Sequence, residues 1–306
     1  MVSATVSQLI LPDGMDFASY YRSTEARVKV LPAASYRSDV VSDLQPTAAI
    51  SYPRLPWNQG QFFLRPGEVT LWPGVNGSGK SYVTGMVMTF LVAQGQKVGI
   101  ASFEMKPRKT LGRQLRQAAH VLQPSIEFAH KFIDWLAGKL WLYDHQGQVK
   151  LDALYGVVKY MAADLGVNQI LIDSMMKCVK GEDDYNGQKD FIDNCCTLAR
   201  DLGIHIHIVH HTRKGENDDR VPNKFDVKGS GSITDQVDNV LIVWRNRKKE
   251  REAESMGADA SVPDALVIVD KQRNGDWEGK IALWLHKPSF QFCGESTATP
   301  INLMRP

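Results

Sequence analysis

Apolar and polar positions along this chain fall into blocks of two lengths. Short apolar runs occupy 69–72, 97–103, 140–143, 169–172, 204–210, 239–243, 266–270 and 281–285, and each predicts a strand. Longer stretches with helical spacing lie at 81–94, 108–121, 126–137, 152–165 and 188–202. Strands alternating with helices of that length predict an α/β fold, a mostly parallel twisted sheet flanked by helices and joined by right-handed crossovers. The last strands follow one another without long helices, which predicts an antiparallel extension at one edge.

The pattern also divides the chain. Residues 1–60 are rich in Ser, Ala and Pro, and Pro12, Pro32, Pro46, Pro53 and Pro56 cut them into short pieces. They read as a linker or docking arm with short helices around 17–27 and 38–44. Residues 61–294 read as the regular domain, and 295–306, with Ser, Thr and two prolines, as a loose tail. A length of 306 residues, with 43% hydrophobic and 23% charged residues, suits one large soluble domain with a smaller flanking segment. A net charge of +2 leaves any polyanion contact to local clusters. The longest apolar run, 86–93, is far short of the roughly 20 residues that cross a bilayer, so no membrane contact is expected. The N-terminus lacks the basic stretch of a signal peptide. Four cysteines without a Cys-x-x-Cys pair fit reduced thiols in a cytoplasm.

One stretch carries most of the chemistry. Gly74-Val75-Asn76-Gly77-Ser78-Gly79-Lys80-Ser81 has the spacing Gly, four residues, Gly-Lys-Ser. It follows the apolar run 68–72 and precedes an apolar run ended by Gln94-Gly95, so strand, glycine loop and helix start are in the right order for a phosphate cradle. Glycines let backbone N–H groups point at phosphates, and the helix N-terminus adds partial positive charge. Gly74, Asn76, Gly77, Ser78, Gly79, Lys80, Ser81 and Tyr82 are the expected nucleotide contacts. Lys80 is expected on the β- and γ-phosphates of ATP or another nucleoside triphosphate, and the Ser81 hydroxyl on Mg²⁺.

In open α/β sheets ligands collect at the carboxyl ends of strands. Asp173 ends the apolar run 169–172, where a carboxylate holds Mg²⁺ from its second side; a helix cap is the plainer reading. Glu104 ends 98–103, where it would orient an attacking water or stand as an exposed residue before Pro107. Among His205, His207, His210 and His211, the pair at the strand end suits a sensor of the terminal phosphate, while the first two read as ordinary strand residues. Long polar loops leave two of these strand ends. One carries Lys177 and Lys180; the other carries Arg213, Lys214, Lys224, Lys228 and Gly229. Both suit a single-stranded phosphate backbone, although Glu182, Asp183, Asp184, Asp218 and Asp219 dilute their charge and also suit a solvated loop. Lys271 and Arg273 precede an Asn274-Gly275 turn and project together, either as a finger toward a neighbour's nucleotide or as a solvated hairpin tip.

Taken in order, Arg65-Pro66-Gly67-Glu68, the loop 74–81, Phe103-Glu104-Met105, the run 170–173, His211, Lys228-Gly229-Ser230-Gly231 and Lys271-x-Arg273 resemble the RecA-fold core of DnaB-like replicative helicases. The likeness is greatest to the phage and mitochondrial forms, often fused to a primase, and it covers about 55–292. The resemblance implies a RecA-like P-loop NTPase. It implies Glu104 as catalytic base, Asp173 as Mg²⁺ partner, His211 as phosphate sensor (its neighbour His210 being the other candidate) and Arg273, assisted by Lys271, as a finger donated between subunits. It further implies a ring, typically of six copies, moving 5′-to-3′ on single-stranded DNA held by the two loops, an arm from 1–60 packing on the next subunit, and a separate primase and DNA polymerase as partners. The corresponding location is the cytoplasm of a bacterial or phage-infected host. No zinc ribbon or primase domain is present, so primer synthesis is not expected. A strand-exchanging recombinase and a loader ATPase that never unwinds are the rival readings.

Overall fold

A computed structural model describes residues 31–43, 52–57, 60–181, 183–212, 219–228, 231–256 and 259–305. The chain separates into two compact units, 1–51 and 52–306. The described part of the first unit is a 3₁₀ turn, Ala33–Tyr36, running into α1 (Arg37–Asp43), close to the expected helix at 38–44. The helix expected at 17–27 lies outside the described residues.

The second unit is built on a nine-stranded sheet in the order β3-β2-β4-β5-β1-β6-β7-β8-β9. Its strands are β1 (Val69–Gly74), β2 (Val98–Ser102), β3 (Leu140–Leu142), β4 (Gln169–Asp173), β5 (His205–His211), β6 (Asn239–Arg245), β7 (Ala265–Gln272), β8 (Gly279–His286) and β9 (Gln291–Cys293). β3 through β6 in that order pair in parallel, and β7, β8 and β9 add antiparallel strands at one edge. This is the α/β architecture expected from the blocks of apolar sequence.

Alternation along each strand feeds two cores, one per sheet face. Val69 and Leu71 of β1 join one core, with Leu154 and Val158 of α5 (Leu151–Ala163) and Phe191 and Ile192 of α6 (Tyr185–Leu202). Trp72 faces the other, with Met86, Val87 and Phe90 of α2 (Lys80–Ala93) and Phe132 of α4 (Ile126–Leu136). α2 is buried on almost every side because the sheet, α3 (Pro107–Ala119) and β9 all pack against it. It stops at Gln94, and Gly95 follows with φ +80°, the glycine stop that the sequence predicts.

Both ends of the unit are tied in. Leu64 N–H donates to Pro53 O at 2.8 Å, and Leu55 is buried beside Phe62 and Leu64. At the other end Leu303 is fully buried, and Ile301 N–H donates to Gln291 Oε1 at 2.6 Å. Residues 295–305, expected to hang loose, pack on the core because Ile301, Leu303 and Met304 offer apolar side chains to the α2 face.

Topology places the chemistry. β1, β2, β4 and β5 run in parallel, so their carboxyl ends share one edge. Gly74 is opposite His211 and Ser102 opposite Asp173 in the ladder. β7 runs the other way, and Lys271 lies opposite Val240 near the start of β6. Lys271 and Arg273 therefore sit at the far edge of the sheet from the glycine loop.

Candidate nucleotide site

The glycine loop spans the step from β1 to α2 and has no room for side chains. A Cβ on Gly74 would come within 2.5 Å of Val243 O and 2.7 Å of Ser78 Oγ. Gly77 and Gly79 have φ +77° and +91°, which L side chains resist. Arg247 donates to Asn76 O at 3.1 Å and Arg245 to Gly77 O at 3.2 Å, bracing the loop from the end of β6. Ser78 Oγ is buried, with no hydrogen-bond partner among the described residues.

A cavity of about 410 Å³ opens over this loop, and Asn76, Gly77, Ser78, Gly79, Lys80, Ser81 and Tyr82 line it. Glu104, Asp173 and His211 line it as well. Lys80 is buried, its Nζ donating to Gly74 O at 2.8 Å and Val75 O at 2.9 Å. Burial lowers its pKa to about 8, against the attraction of Asp173 and Glu104. Burial first, and then the charge of Glu104, raise the Asp173 carboxyl to about 6, while Lys80 and a hydrogen bond with Ser81 oppose the shift. Glu104 Oε1 accepts from the Ser174 hydroxyl at 2.9 Å, which ties the carboxylate to the first residue after β4.

These residues fit a nucleotide phosphate chain with a hard divalent cation. Buried ammonium, left-handed glycines and an orphaned hydroxyl suit phosphate oxygens. Paired hydroxyl and carboxylate oxygens on Ser81 and Asp173 suit Mg²⁺, which keeps most of its ligands as water and phosphate oxygen. No group of three or more His, Cys, Asp and Glu able to hold a metal occurs among the described residues.

The remaining wall comes from residues that sequence patterns did not single out. Arg113 of α3 lies with its guanidinium carbon 4.6 Å from the centre of the Tyr82 ring. Tyr82 stacks on Phe290, ring centres 5.3 Å apart, and Phe292 lines the same cavity. The one sequence signal was the spacing of Phe290 and Phe292 on either side of Gln291, a period-two pair too short to stand out.

The four histidines separate into three environments. His205 Nδ1 must donate to Arg65 O (2.7 Å), which leaves Nε2 to accept from the Thr70 hydroxyl at 2.8 Å. His207 Nδ1 accepts from Trp72 Nε1 at 3.2 Å, so its Nε2 donates to Gln169 Oε1 at 3.0 Å. Both rings are neutral and fully buried, with centres 4.6 Å apart. His210 is also buried, and its Nε2 bonds Lys228 O at 2.8 Å. Of the four, His211 reaches the cavity. Burial pushes His205 and His210 down to about 4 and His207 well below the usual value. Between about pH 6.5 and pH 4 the unfolded chain therefore binds protons that the native core refuses, and stability falls as pH falls through that window. His205 and His210 each account for about 3 kcal/mol at its lower end. Asp173 works in the opposite direction over a smaller span, so the histidines dominate. Urea midpoints should drop steeply from pH 7 to pH 4.5; a flat profile would contradict the neutral assignments.

The two loops leave the same edge. Lys177 closes a 3₁₀ turn, Met175–Lys177, and its N–H donates to Ser174 O at 3.0 Å. Lys180 N–H donates to Asp184 Oδ2 at 3.3 Å, and Asp184 also caps α6 by accepting from Gly187 N–H. Asp184, whose charge counted against polyanion binding, is thus engaged as a helix cap; Glu182 lies outside the described residues. In the second loop Thr212 bridges Val227, and Lys228 N–H donates to His211 O at 3.0 Å, so the returning strand lies against the end of β5. Lys224 begins a 3₁₀ turn, Lys224–Asp226. Arg213, Lys214 and Gly229 lie outside the described residues.

At the far edge, Lys271 Nζ donates to the carbonyls of Thr234, Asp235 and Val237 at 2.8, 2.8 and 2.7 Å. Arg273 pairs with Asp238 at 2.9 Å and reaches Asp235 O and Gln236 O. Both cations therefore hold the C-terminal carbonyls of α7 (Ser232–Gln236), the negative end of the helix that follows the second loop. Neither lines the cavity over the glycine loop.

Residues 63–293 match the family model of the DnaB-like helicase C terminal domain. The chain is 25% identical over 207 residues to a DNA helicase/primase of Enterobacteria phage T3, covering 60% of this chain and 36% of that protein. It is 23% identical over 203 residues to a Twinkle homolog protein, chloroplastic/mitochondrial, of Arabidopsis thaliana, covering 60% and 28%. The chain thus spans about a third of the length of these relatives. Among solved structures, an ATPase domain superposes with a TM-score of 0.70 at 16% identity, over 85% of this chain and 98% of that one. A DnaB-like replicative helicase, from a study of its interactions with primase, superposes with a TM-score of 0.68 at 16% identity, over 84% and 66%. That family match covers most of the chain, and the chain belongs to the DnaB-like helicase C-terminal domain family.

Proposed function

We propose that this chain is the motor of a replicative DNA helicase, a ring of identical copies that hydrolyses ATP or another nucleoside triphosphate between neighbours and moves 5′-to-3′ on single-stranded DNA. The observation that carries the reading is the division of the site. The groups that line the cavity over the glycine loop occupy one edge of the sheet, while Lys271 and Arg273 occupy the other. A second copy, docked with its far edge over the first copy's cavity, brings those cations to the phosphates.

In this reading the backbone amides of 77–81 and Lys80 hold the phosphate chain, and Ser81 and Asp173 hold Mg²⁺, which neutralises phosphate charge when bound. Glu104 takes the proton of an attacking water, and the Ser174 hydroxyl orients that carboxylate. His211 lies between the cavity and the backbone of Lys228, so a change at the terminal phosphate reaches the second loop through one strand end. Lys177, Lys180, Arg213, Lys214, Lys224, Lys228 and Gly229 are the proposed contacts to the DNA backbone. The arm 1–60 is proposed to pack on the next subunit, with primase and polymerase as separate partners and the cytoplasm as the location.

Forked-duplex unwinding, read alongside native mass with a nonhydrolysable nucleotide and an oligonucleotide, tests the proposal. Strand separation by a ring-sized species is the expected result. Hydrolysis stimulated by single-stranded DNA with no strand separation would instead identify a loader, and filaments on DNA would identify a recombinase.

A further inference from the structure

Phe225 is 81% exposed, the most exposed of the large apolar side chains described. Its setting is rigid. Asn223 Oδ1 accepts from Phe225 N–H at 3.0 Å, and Asp226 returns the bond by accepting from Asn223 N–H at 2.8 Å, a complete capping box around one 3₁₀ turn. Arg220 pairs with Asp226 at 3.2 Å, and Asp270 accepts from Lys224 N–H, so the turn is also fastened to β7.

The surroundings specify the occupant. Lys224 Nζ lies 5.9 Å from the centre of the Phe225 ring. The neighbouring carboxylates of Asp226 and Asp270 are already engaged by Arg220, Asn223 and Lys224. Two residues beyond the ring, Val227 bridges Thr212, and Lys228 bonds the backbone of His211. A flat apolar ring held still beside an ammonium suits a ligand with a flat π-face and an attached anion.

We infer that Phe225 is a stacking platform for one base of a single strand, a contact to the base that adds to the backbone contacts of the same loop. The inference rests on the reading that this loop carries single-stranded DNA. Every base offers a π-face, so such a platform holds DNA without reading its sequence. Because the turn is ordered in advance, stacking costs little conformational freedom. It also connects the strand's bases, through Lys228 and His211, to the nucleotide cavity.

The test compares binding of labelled oligo-dT with an equally long strand of abasic sites, by fluorescence anisotropy across a salt series, with a nonhydrolysable nucleotide present. Phe225→Ala should weaken oligo-dT binding about tenfold or more while leaving the slope of log affinity against log salt unchanged. Phe225→Trp should keep wild-type affinity. On the abasic strand wild type and Phe225→Ala should bind equally. Lys228→Ala gives the contrasting signature, a slope shallower by about one. Equal oligo-dT affinity for wild type and Phe225→Ala would overturn the inference, as would equal losses on both strands. A change of native mass in Phe225→Ala would assign the ring to a subunit contact and overturn it too. Failure of the wild type to bind either strand would overturn both this inference and the reading beneath it.

Discussion

Lys80→Ala is expected to abolish nucleoside triphosphate hydrolysis, with kcat falling at least about 10²–10³-fold, while the protein stays folded. Catalytic loss follows from position. The ammonium is buried at the floor of the cavity, between the loop carbonyls and the carboxylates of Glu104 and Asp173, where charge on a phosphate chain would gather. Water cannot replace it there without giving up the fixed geometry. Two opposed effects set the stability of the Lys80→Ala fold. Removing Lys80 leaves two carbonyl acceptors with one partner fewer, at about 1–3 kcal/mol. It also removes a charge that burial disfavours, since the pKa is lowered to about 8, worth about 3 kcal/mol in the opposite direction at neutral pH. These terms nearly cancel, so Tm should move little. Turnover and thermal melting measured on one preparation check both parts. Retained turnover would refute the site, and a collapse of Tm would refute the balance.

The parts of the molecule that were legible in sequence share one property: their chemistry is local. A phosphate loop needs its glycines, lysine and hydroxyl within one turn of chain, so Gly74 to Ser81 announces itself. The parallel strands were legible because both faces are buried, which leaves uninterrupted apolar runs. α8 (Arg247–Met256) was not. Its sequence is almost wholly charged and polar, so apolar periodicity had nothing to detect. β9 is three residues long, below any periodic signal. Arg113, Phe290 and Phe292 reach the cavity only through tertiary packing of α3 and the antiparallel edge. Asp184 shows the same limit for charge: in sequence it reads as solvated acid, yet the backbone of α6 consumes it. The tail reads as loose because three apolar residues among prolines and polar residues form no pattern, although a waiting groove buries Leu303 completely.

Arg273→Ala is expected to spare nucleotide binding and remove hydrolysis by about 10³–10⁵-fold, the usual worth of a finger that meets charge in the transition state. Its own cavity lies at the opposite sheet edge, so in the proposed ring the loss arises in the neighbour's site. Mixing supplies the decisive contrast. A ring of Arg273→Ala subunits lacks every finger, and a ring of Glu104→Gln subunits lacks every base. A mixed ring contains junctions in which a Glu104 from the first variant meets an Arg273 from the second, and those junctions should turn over. Activity should therefore rise above either variant alone, up to about a quarter of wild type for random mixing of equal parts, since half the cavities keep the base and half of those meet an intact finger. Arg273 also holds α7 through Asp238 and two carbonyls, so Arg273→Lys, which keeps a charge but not the fork, separates the two roles. If it melts like wild type yet stays inactive, the guanidinium acts on the neighbour's phosphates. If mixing restores nothing while both variants still form rings, Arg273 acts only within its own subunit, through α7 and the loop before it.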